Sequence, residues 1–190
     1  MRAPDRPGLM RDVTAALTSH RFIIKSASVS TFDANDDGLA DNVFVITCDQ
    51  TLDAPDSFHD ADGFECAETI GRVKAVVVEA ALNAWSLGAP ASAVQYVDPA
   101  DRTVEPVVDA QVVESSLTKS GKVVVAYVET TDRKGLLAAT TAALSDLGCG
   151  IIAATVKTTE EGAANNRFVV AAPDGCGPEK IKAALLRIAE

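Results

Sequence analysis

The chain has 190 residues and a net charge of −10, from 17 Lys and Arg against 27 Asp and Glu. This excess of negative charge opposes nonspecific attraction to nucleic-acid phosphate, so no nucleic-acid partner is expected. Hydrophobic residues make up 47% of the chain, which is enough for one large or two small domains, and no apolar run approaches the roughly 20 residues that cross a bilayer, so no membrane partner is expected.

The first predicted elements follow an N-terminal loop, Asp5-Arg6-Pro7-Gly8-Leu9, in which Pro and Gly interrupt regular structure. The spacing of apolar residues then predicts a helix from Leu9 to His20 and a second helix from about Glu65 to Trp85. Strands are predicted at Phe22 to Phe32 and Asn42 to Cys48. Because no strand precedes the loop, we expect the first strand of this half to be missing or to be supplied by another subunit.

An acidic stretch occupies the middle of this first half. Residues 26 to 71 hold eleven Asp and Glu and no Lys or Arg, and residues 49–65 are interpreted as an insertion. Two interpretations stay open, a solvated loop or an electrostatic docking surface for a basic partner. The residues from Asp33 to Gly38 begin like a calcium loop, but Phe44 stands where a bidentate Glu is required, so a hairpin turn is favoured and no metal site is expected.

The second half has the same order of elements with one added strand. A helix with an apolar stripe begins at Leu136, and Gly148 lies where a C-terminal glycine cap would be. A last helix opens at Gly177-Pro178-Glu179, because Pro suits the first helical position. Strands are predicted at Val107 to Ser115, Lys122 to Thr131, Ile151 to Thr158 and Arg167 to Ala172.

An internal repeat links the two halves. Asp5-Arg6-Pro7-Gly8-Leu9 recurs as Asp132-Arg133-Lys134-Gly135-Leu136 at an offset of 127, and 12 of the 27 positions from Asp5 to Thr31 are identical at that offset. Asn42 and Phe44 recur as Asn166 and Phe168 at an offset of 124. The chain is therefore a tandem duplication.

The order strand, helix, strand, strand, helix is that of a ferredoxin-like α+β domain, in which two helices cover one face of an antiparallel sheet. We predict two such domains, residues 1–98 and 107–190, joined by a linker at 99–106. The second is expected to be circularly permuted, with Val107 to Ser115 paired as a hairpin with Lys122 to Thr131 in place of the absent final strand.

The repeated loop, with the Ala-Leu pair and the Ile-x-x-Ala-x-Val strand that follow it, resembles the ACT domain, a regulatory module that binds small molecules. Two copies with no catalytic domain are similar to the ACT-domain repeat proteins, and the hairpin before the second copy is most similar to the plastid forms of plants and algae. The resemblance covers Arg2 to Cys48 and Val107 to Glu190. It implies the chloroplast stroma as location; otherwise the cytoplasm is expected.

The resemblance implies that an amino acid binds against the two loops. A glycine lets the backbone approach a ligand closely, and the amides at a helix start favour a carboxylate. The alternative is that the loops only form tight turns in which the aspartates cap backbone. Lys134 in place of Pro7 predicts a less rigid second loop and unequal affinities. The expected ligand-binding residues are Asp5, Arg6, Gly8, Leu9 and Asn42 in the first copy and Asp132, Arg133, Gly135, Leu136 and Asn166 in the second.

No catalytic constellation is found. Neither His20 nor His59 has neighbours at the spacing of a metal site or a nucleophile, so we expect no enzyme activity, no metal and no cofactor. The four cysteines include no C-x-x-C pair and are interpreted as reduced thiols, with a disulfide left open. They are Cys48, Cys66, Cys149 and Cys176.

The favoured hypothesis is a noncatalytic regulator that binds an amino acid and modulates a metabolic enzyme. By resemblance this regulation belongs to nitrogen or amino-acid metabolism, since some plastid members are associated with glutamine synthetase. The alternative is a constitutive protein-interaction scaffold without ligand control. Exposed sheet edges would favour a homodimer or a higher oligomer in either case.

Overall fold

The computed structural model of the protein describes residues 2–6, 8–32, 39–48, 67–82, 104–113 and 122–190. Within these residues, seven strands form one sheet in the order β1-β3-β2-β6-β7-β5-β4, and every neighbouring pair is antiparallel. The predicted α+β, ferredoxin-like fold class is confirmed. The strands are β1 (Arg2–Pro4), β2 (Phe22–Phe32), β3 (Leu39–Cys48), β4 (Val107–Val113), β5 (Lys122–Thr131), β6 (Gly150–Thr158) and β7 (Ala163–Ala172), and the helices are α1 (Leu9–Ser19), α2 (Ala67–Leu82), α3 (Leu136–Asp146) and α4 (Pro178–Ala189).

We call β1, α1, β2, β3 and α2 the first repeat, and β4, β5, α3, β6, β7 and α4 the second repeat. In the second repeat, β4 lies at the edge of the sheet, with Val107 opposite Glu129 and Val113 opposite Val123. Trp85, the insertion at 49–65 and the turn at 33–38 lie outside the described residues. The domain limits 1–98 and 107–190 stay a prediction.

The first strand of the first repeat is present in part, so the expectation that it is missing was wrong. Arg2–Pro4 pairs with β3, with Arg2 opposite Asp41 and Pro4 opposite Leu39. At the repeat offset these three residues correspond to the last three of β5, which pairs with β7 in the same way. Three residues that include a proline carry too little strand signal to be recognised in the sequence.

A pseudo-twofold axis relates the two repeats. β2 pairs antiparallel with β6, and Ser28 lies opposite Thr155, a position 127 residues later. Thr14 in α1 and Thr141 in α3 also differ by 127, and their buried hydroxyl oxygens are 2.9 Å apart. Because equivalent residues meet each other only on a symmetry axis, the repeats lie side by side in one continuous sheet. This pairing covers the edges of β2 and β6 within one chain.

The helices cover the apolar side of this sheet. α1 contacts α2 and α3, and α3 contacts α4, so the helices follow the order α2-α1-α3-α4. Alternate residues of β5 are buried at Val124, Ala126 and Val128, as expected for a strand with helices on one side only. Two buried clusters result, one around Phe168 in the second repeat and one around Phe22 in the first. None of the described helices is long and apolar enough to span a membrane.

Two of the cysteines form a buried pair. Cys149 before β6 and Cys176 before α4 are free thiols whose Sγ atoms are 3.9 Å apart. Burial, and after it the neighbouring Cys176, raises the pKa of Cys149 from 9.0 to about 12. A thiol with a raised pKa is a weak nucleophile, which suits these sulfurs to packing in the core. Cys66 and the side chain of Cys48 lie outside the described part of the chain.

The Cys149 thiol should make the fold less stable in alkali. Below about pH 9 the thiol is protonated in the folded and the unfolded chain, so its contribution is fully present. Between about pH 9 and 12 only the unfolded chain releases this proton, so the free energy of unfolding should fall by at most about 1.4 kcal/mol per pH unit. Urea unfolding from pH 7.5 to 10.5 measures the slope, and Cys149→Ala should flatten it. Equal slopes in the two proteins would contradict this account.

Candidate ligand-binding clefts between the repeats

The two loops of the repeat have the same backbone geometry. Gly8 and Gly135 precede α1 and α3 with φ of 80° and 81°, a left-handed conformation that favours glycine. In both loops the next residue donates its backbone N–H to the arginine carbonyl at 3.1 Å. Among the described residues, no side chain caps either helix start. The loops therefore leave the first turn of each helix open to a ligand.

A cleft at the Asp132 to Leu136 loop, which we call the second cleft, lies between the two repeats. Its cavity volume is about 30 Å³, within about 440 Å³ of space that no atom fills and that includes open solvent. A ligand there would touch both repeats, because α1 and the start of β2 form one wall and the second loop forms the other. The lining residues are Thr18, Phe22, Ile23 and Ile24 from the first repeat and Asp132, Arg133, Lys134, Gly135, Leu136, Leu137, Val156, Thr158, Ala164 and Asn166 from the second.

Asn166 provides an unsatisfied polar atom at the wall of the second cleft. The residue is 1% exposed, and its Oδ1 makes no hydrogen bond within the described residues. A buried acceptor without a partner destabilises the fold by about 1–3 kcal/mol, so such an atom calls for an explanation. A ligand that donates a hydrogen bond would supply one.

The start of α3 provides donors to the same cleft. The amide of Leu136 bonds to the Arg133 carbonyl, and the amide of Ala139 bonds to the Gly135 carbonyl. The two amides between them, those of Leu137 and Ala138, belong to the group that has no acceptor within the helix, and of these two residues Leu137 lines the cleft. Together with the positive end of the helix dipole, they form a site suited to a carboxylate.

Asp132 provides a negative charge to the lining of the second cleft. Its Oδ2 accepts a hydrogen bond of 2.9 Å from the Thr158 hydroxyl, and its backbone N–H donates to the Gly162 carbonyl at 2.7 Å. The side chain is thus oriented by β6 and does not cap α3. A carboxylate held in this way can accept a further hydrogen bond from an ammonium group.

Comparison with known proteins decides the family. A sequence model of the ACT domain matches residues 1–55 and 124–190, which together are more than half of the chain. The chain belongs to the ACT domain family. Because both repeats are matched, the tandem arrangement of ACT domains is confirmed. A solved structure described as an unknown protein from Galdieria sulphuraria is 17% identical over 98% of this chain and 86% of that one, with a TM-score of 0.29. No curated protein matches the chain.

The two loop arginines of this tandem ACT protein make equivalent contacts within their own repeats. Arg6 Nη2 donates to the Ala80 carbonyl of α2 at 2.8 Å, and Arg133 Nη2 donates to the Ile188 carbonyl of α4. Both carbonyls lie in the last turn of a helix, where a cation is favourable. These contacts attach each loop to the second helix of its ACT domain. The assignment of Arg6 and Arg133 to ligand binding stays a prediction.

The cleft at the first ACT domain differs from the second. Ser145, the counterpart of Thr18 at the repeat offset, lies near Gly8, so the Gly8 turn also faces the other domain. Arg11 lies against that turn and pairs with Asp12, which is 1% exposed. Neither Arg11 nor Asp12 is among the predicted ligand-binding residues. A comparison of the two repeats could have found them, because Ala138 and Ala139 occupy the matching positions and the repeats therefore differ in charge there.

The remaining predicted residues are distributed as follows. Asn42 lies on β3 at the position equivalent to Asn166 and is 2% exposed. Asp5 is an exposed residue, yet loss of water around its carboxyl raises its pKa, against the lowering effect of a hydrogen bond with the Arg6 backbone. Leu9 and Leu136 are buried in the first turns of α1 and α3. In the described ranges, no three His, Cys, Asp or Glu residues lie close enough to hold a metal ion.

Proposed function

We propose that this tandem ACT protein is a noncatalytic regulator that binds one α-amino acid in the second cleft and passes that signal to a partner. ACT domains are commonly modules that bind small molecules, above all amino acids. The unsatisfied Oδ1 of Asn166 carries the proposal. This buried acceptor lines the same cleft as the start of α3. The ammonium group of an amino acid suits the acceptor, and its carboxylate suits the helix start.

The ligand is oriented by its charged groups. Its carboxylate accepts hydrogen bonds from the amides of Leu137 and Ala138, since no side chain in the described part of the protein caps this helix start. Its ammonium group donates to Asn166 Oδ1 and to the Asp132 carboxylate. Apart from the cations Arg133 and Lys134, the rest of the wall is mostly apolar, with Ile24, Val156 and Ala164 among the lining residues. A neutral side chain fits this apolar part better than a charged one.

Binding in this cleft couples the two repeats. Thr18 and the start of β2 come from the first repeat, whereas the loop and Asn166 come from the second. A ligand that contacts both favours one arrangement of the pair, and couplings of this kind are typically 1–3 kcal/mol. The partner that we propose is a metabolic enzyme, in nitrogen or amino-acid metabolism, with glutamine synthetase in the chloroplast stroma as the first candidate. A homodimer or larger oligomer is part of the same proposal.

A thermal-shift screen against the twenty standard amino acids at millimolar concentration tests the proposal. A ligand at 100 times its Kd that binds only the folded chain stabilises it by about 2.7 kcal/mol, which is easily detected. We expect a selective shift by an amino acid with a neutral side chain. The absence of a shift by any amino acid in a folded sample would contradict the proposal.

Replacing Asp132 with alanine should weaken amino-acid binding at least tenfold, because a charged hydrogen-bond partner contributes about 1.5–3 kcal/mol. Loss of the Thr158 hydrogen bond should lower the free energy of unfolding by only about 1 kcal/mol. Thr158→Val is the matched control, since it breaks the same bond and keeps the Asp132 charge. Calorimetric titration measures the amino-acid affinity of both variants. Equal losses of affinity would mean that Asp132 acts only through Thr158.

The scaffold hypothesis is favoured by one observation. Val43 and Val45 on β3 are 60% and 54% exposed, which is unusual for two neighbouring apolar side chains on one strand face. A scaffold would bind its partner through such a surface whether or not an amino acid is present. A pull-down with and without the amino acid that gives the largest thermal shift separates the two hypotheses. Only a regulator responds to the addition.

A further inference from the structure

We infer that the guanidinium group of Arg11 is a built-in occupant of the first cleft, so that each chain binds one amino acid, in the second cleft only. By the first cleft we mean the space between the Gly8 turn and Ser145, which is the pseudo-symmetry mate of the space between Gly135 and Thr18. The inference rests on the proposed function. Beyond that function, it states how many amino acids each chain binds and names the residue that determines this number.

The guanidinium group of Arg11 lies close to the Gly8 turn. A Cβ atom placed on Gly8 would lie 3.2 Å from Arg11 Nη2, 3.4 Å from its Cζ and 3.5 Å from Ser145 Oγ. The guanidinium group therefore lies against the turn at the side that faces the other repeat. In the second cleft, Gly135 and Thr18 border open space at the equivalent place.

An ion pair holds the Arg11 side chain there. Arg11 Nε and Nη2 both lie 3.0 Å from Asp12 Oδ1, and Arg6 Nη1 lies 2.7 Å from Asp12 Oδ2. The Asp12 side chain is 1% exposed. Both oxygens of this carboxylate are thus engaged, Oδ1 by Arg11 and Oδ2 by Arg6, and hydrogen bonds between charged groups are stronger than those between neutral ones. A ligand carboxylate in the first cleft would have to displace Arg11 and leave Asp12 with one partner fewer.

The second repeat lacks this ion pair. The residues at the positions of Arg11 and Asp12 are Ala138 and Ala139, which have no polar side chain. Arg133, the counterpart of Arg6, accordingly has no aspartate at the matching position, and its Nη2 donates to the Ile188 carbonyl of α4. Both repeats share the glycine turn and the uncapped helix start, so the occupant of the cleft is the difference that decides ligand access.

The test removes the occupant and counts the sites. In R11A/D12A the first repeat takes the residues that the second repeat already has, so the helix start is opened without a new side chain. Each of the twenty standard amino acids is screened by thermal shift against both proteins, and those that shift are titrated by calorimetry. We expect one site per chain in the wild type and two in R11A/D12A. Arg187→Ala, which removes an exposed arginine of α4, is the control and should keep one site.

The reciprocal variant A138R/A139D carries the ion pair into the second repeat, and we expect it to lose binding. Circular dichroism establishes that it is folded, and R11A/D12A keeps the test decisive if it is not. Two sites in the wild type, or one site in R11A/D12A, would overturn the inference and leave the proposed function standing. Binding to R11A/D12A but not to the wild type would overturn the proposed function of the second cleft and support the occupancy by Arg11. Binding to neither protein would overturn both.

Discussion

Replacing Gly135 with valine should abolish amino-acid binding and lower the free energy of unfolding. The φ of Gly135 is 81°, which a β-branched residue adopts only with strain of about 1–3 kcal/mol. The added side chain would also enter the second cleft, which Gly135 lines. Urea unfolding measures the loss of stability, and calorimetric titration measures the loss of binding.

Gly8→Val is the matched control for Gly135→Val. Its φ is 80°, so the strain on the backbone is the same, and a Cβ atom there would crowd Arg11 at 3.2 Å. We expect a similar loss of stability with amino-acid affinity unchanged within about twofold, because the first cleft already holds Arg11. A folded Gly135→Val protein that still binds would contradict the placement of the ligand.

Replacing Asn166 with leucine should weaken binding while the unliganded protein becomes more stable. In the free protein, Asn166 Oδ1 is buried and has no hydrogen-bond partner among the described residues, so removing it relieves an unfavourable burial of about 1–3 kcal/mol. In the complex that oxygen accepts a hydrogen bond from the ligand ammonium group, so its loss should raise the Kd about 10–100-fold. Few substitutions raise stability and lower affinity together, and this combination identifies a buried group retained for binding.

Asn42→Leu provides the comparison for Asn166→Leu. Asn42 is 2% exposed at the equivalent position of β3. We expect its replacement to leave the Kd of the amino acid unchanged. A loss of affinity in Asn42→Leu equal to that in Asn166→Leu would contradict a single site at the second cleft. A loss of stability in Asn166→Leu would show that the Asn166 side chain has a structural partner.

Most of the fold was predictable from the sequence because the chain contains two copies of one domain, which can be compared with each other. The offset of 127 predicted a duplicated domain, and the same offset separates Ser28 from Thr155 and Thr14 from Thr141 on the pseudo-twofold axis. The bounds of β2 and β5 follow from long runs of β-branched and alternating residues. β3 and β7 begin three and four residues earlier than predicted, because pairing near the turns, such as Thr158 with Ala164, extends strands through small and polar residues.

Only the features of the site that the two repeats share were predictable from the sequence. The glycine turns and the aspartates repeat in the sequence, so their common geometry was expected. The partners of the side chains were not, because Arg6 reaches Ala80 and Arg133 reaches Ile188 over separations that no local pattern reveals. The asymmetry between the clefts depends on Arg11 and Asp12, two positions inside a helix where a charge normally indicates a solvated face. The position of Arg11 beside the Gly8 turn and its ion pair with Asp12 give that charge a role.

Nitrogen-15 amide spectra of the labelled protein test the central claim most directly. The titrant is the amino acid that gives the largest thermal shift among the twenty. We predict that the backbone amides of Leu137 and Ala138 and the side-chain amide of Asn166 shift with one Kd, while the amides of Met10 and Arg11 stay in place. Shifts confined to Met10 and Arg11, or no shift at any of these amides, would contradict the account.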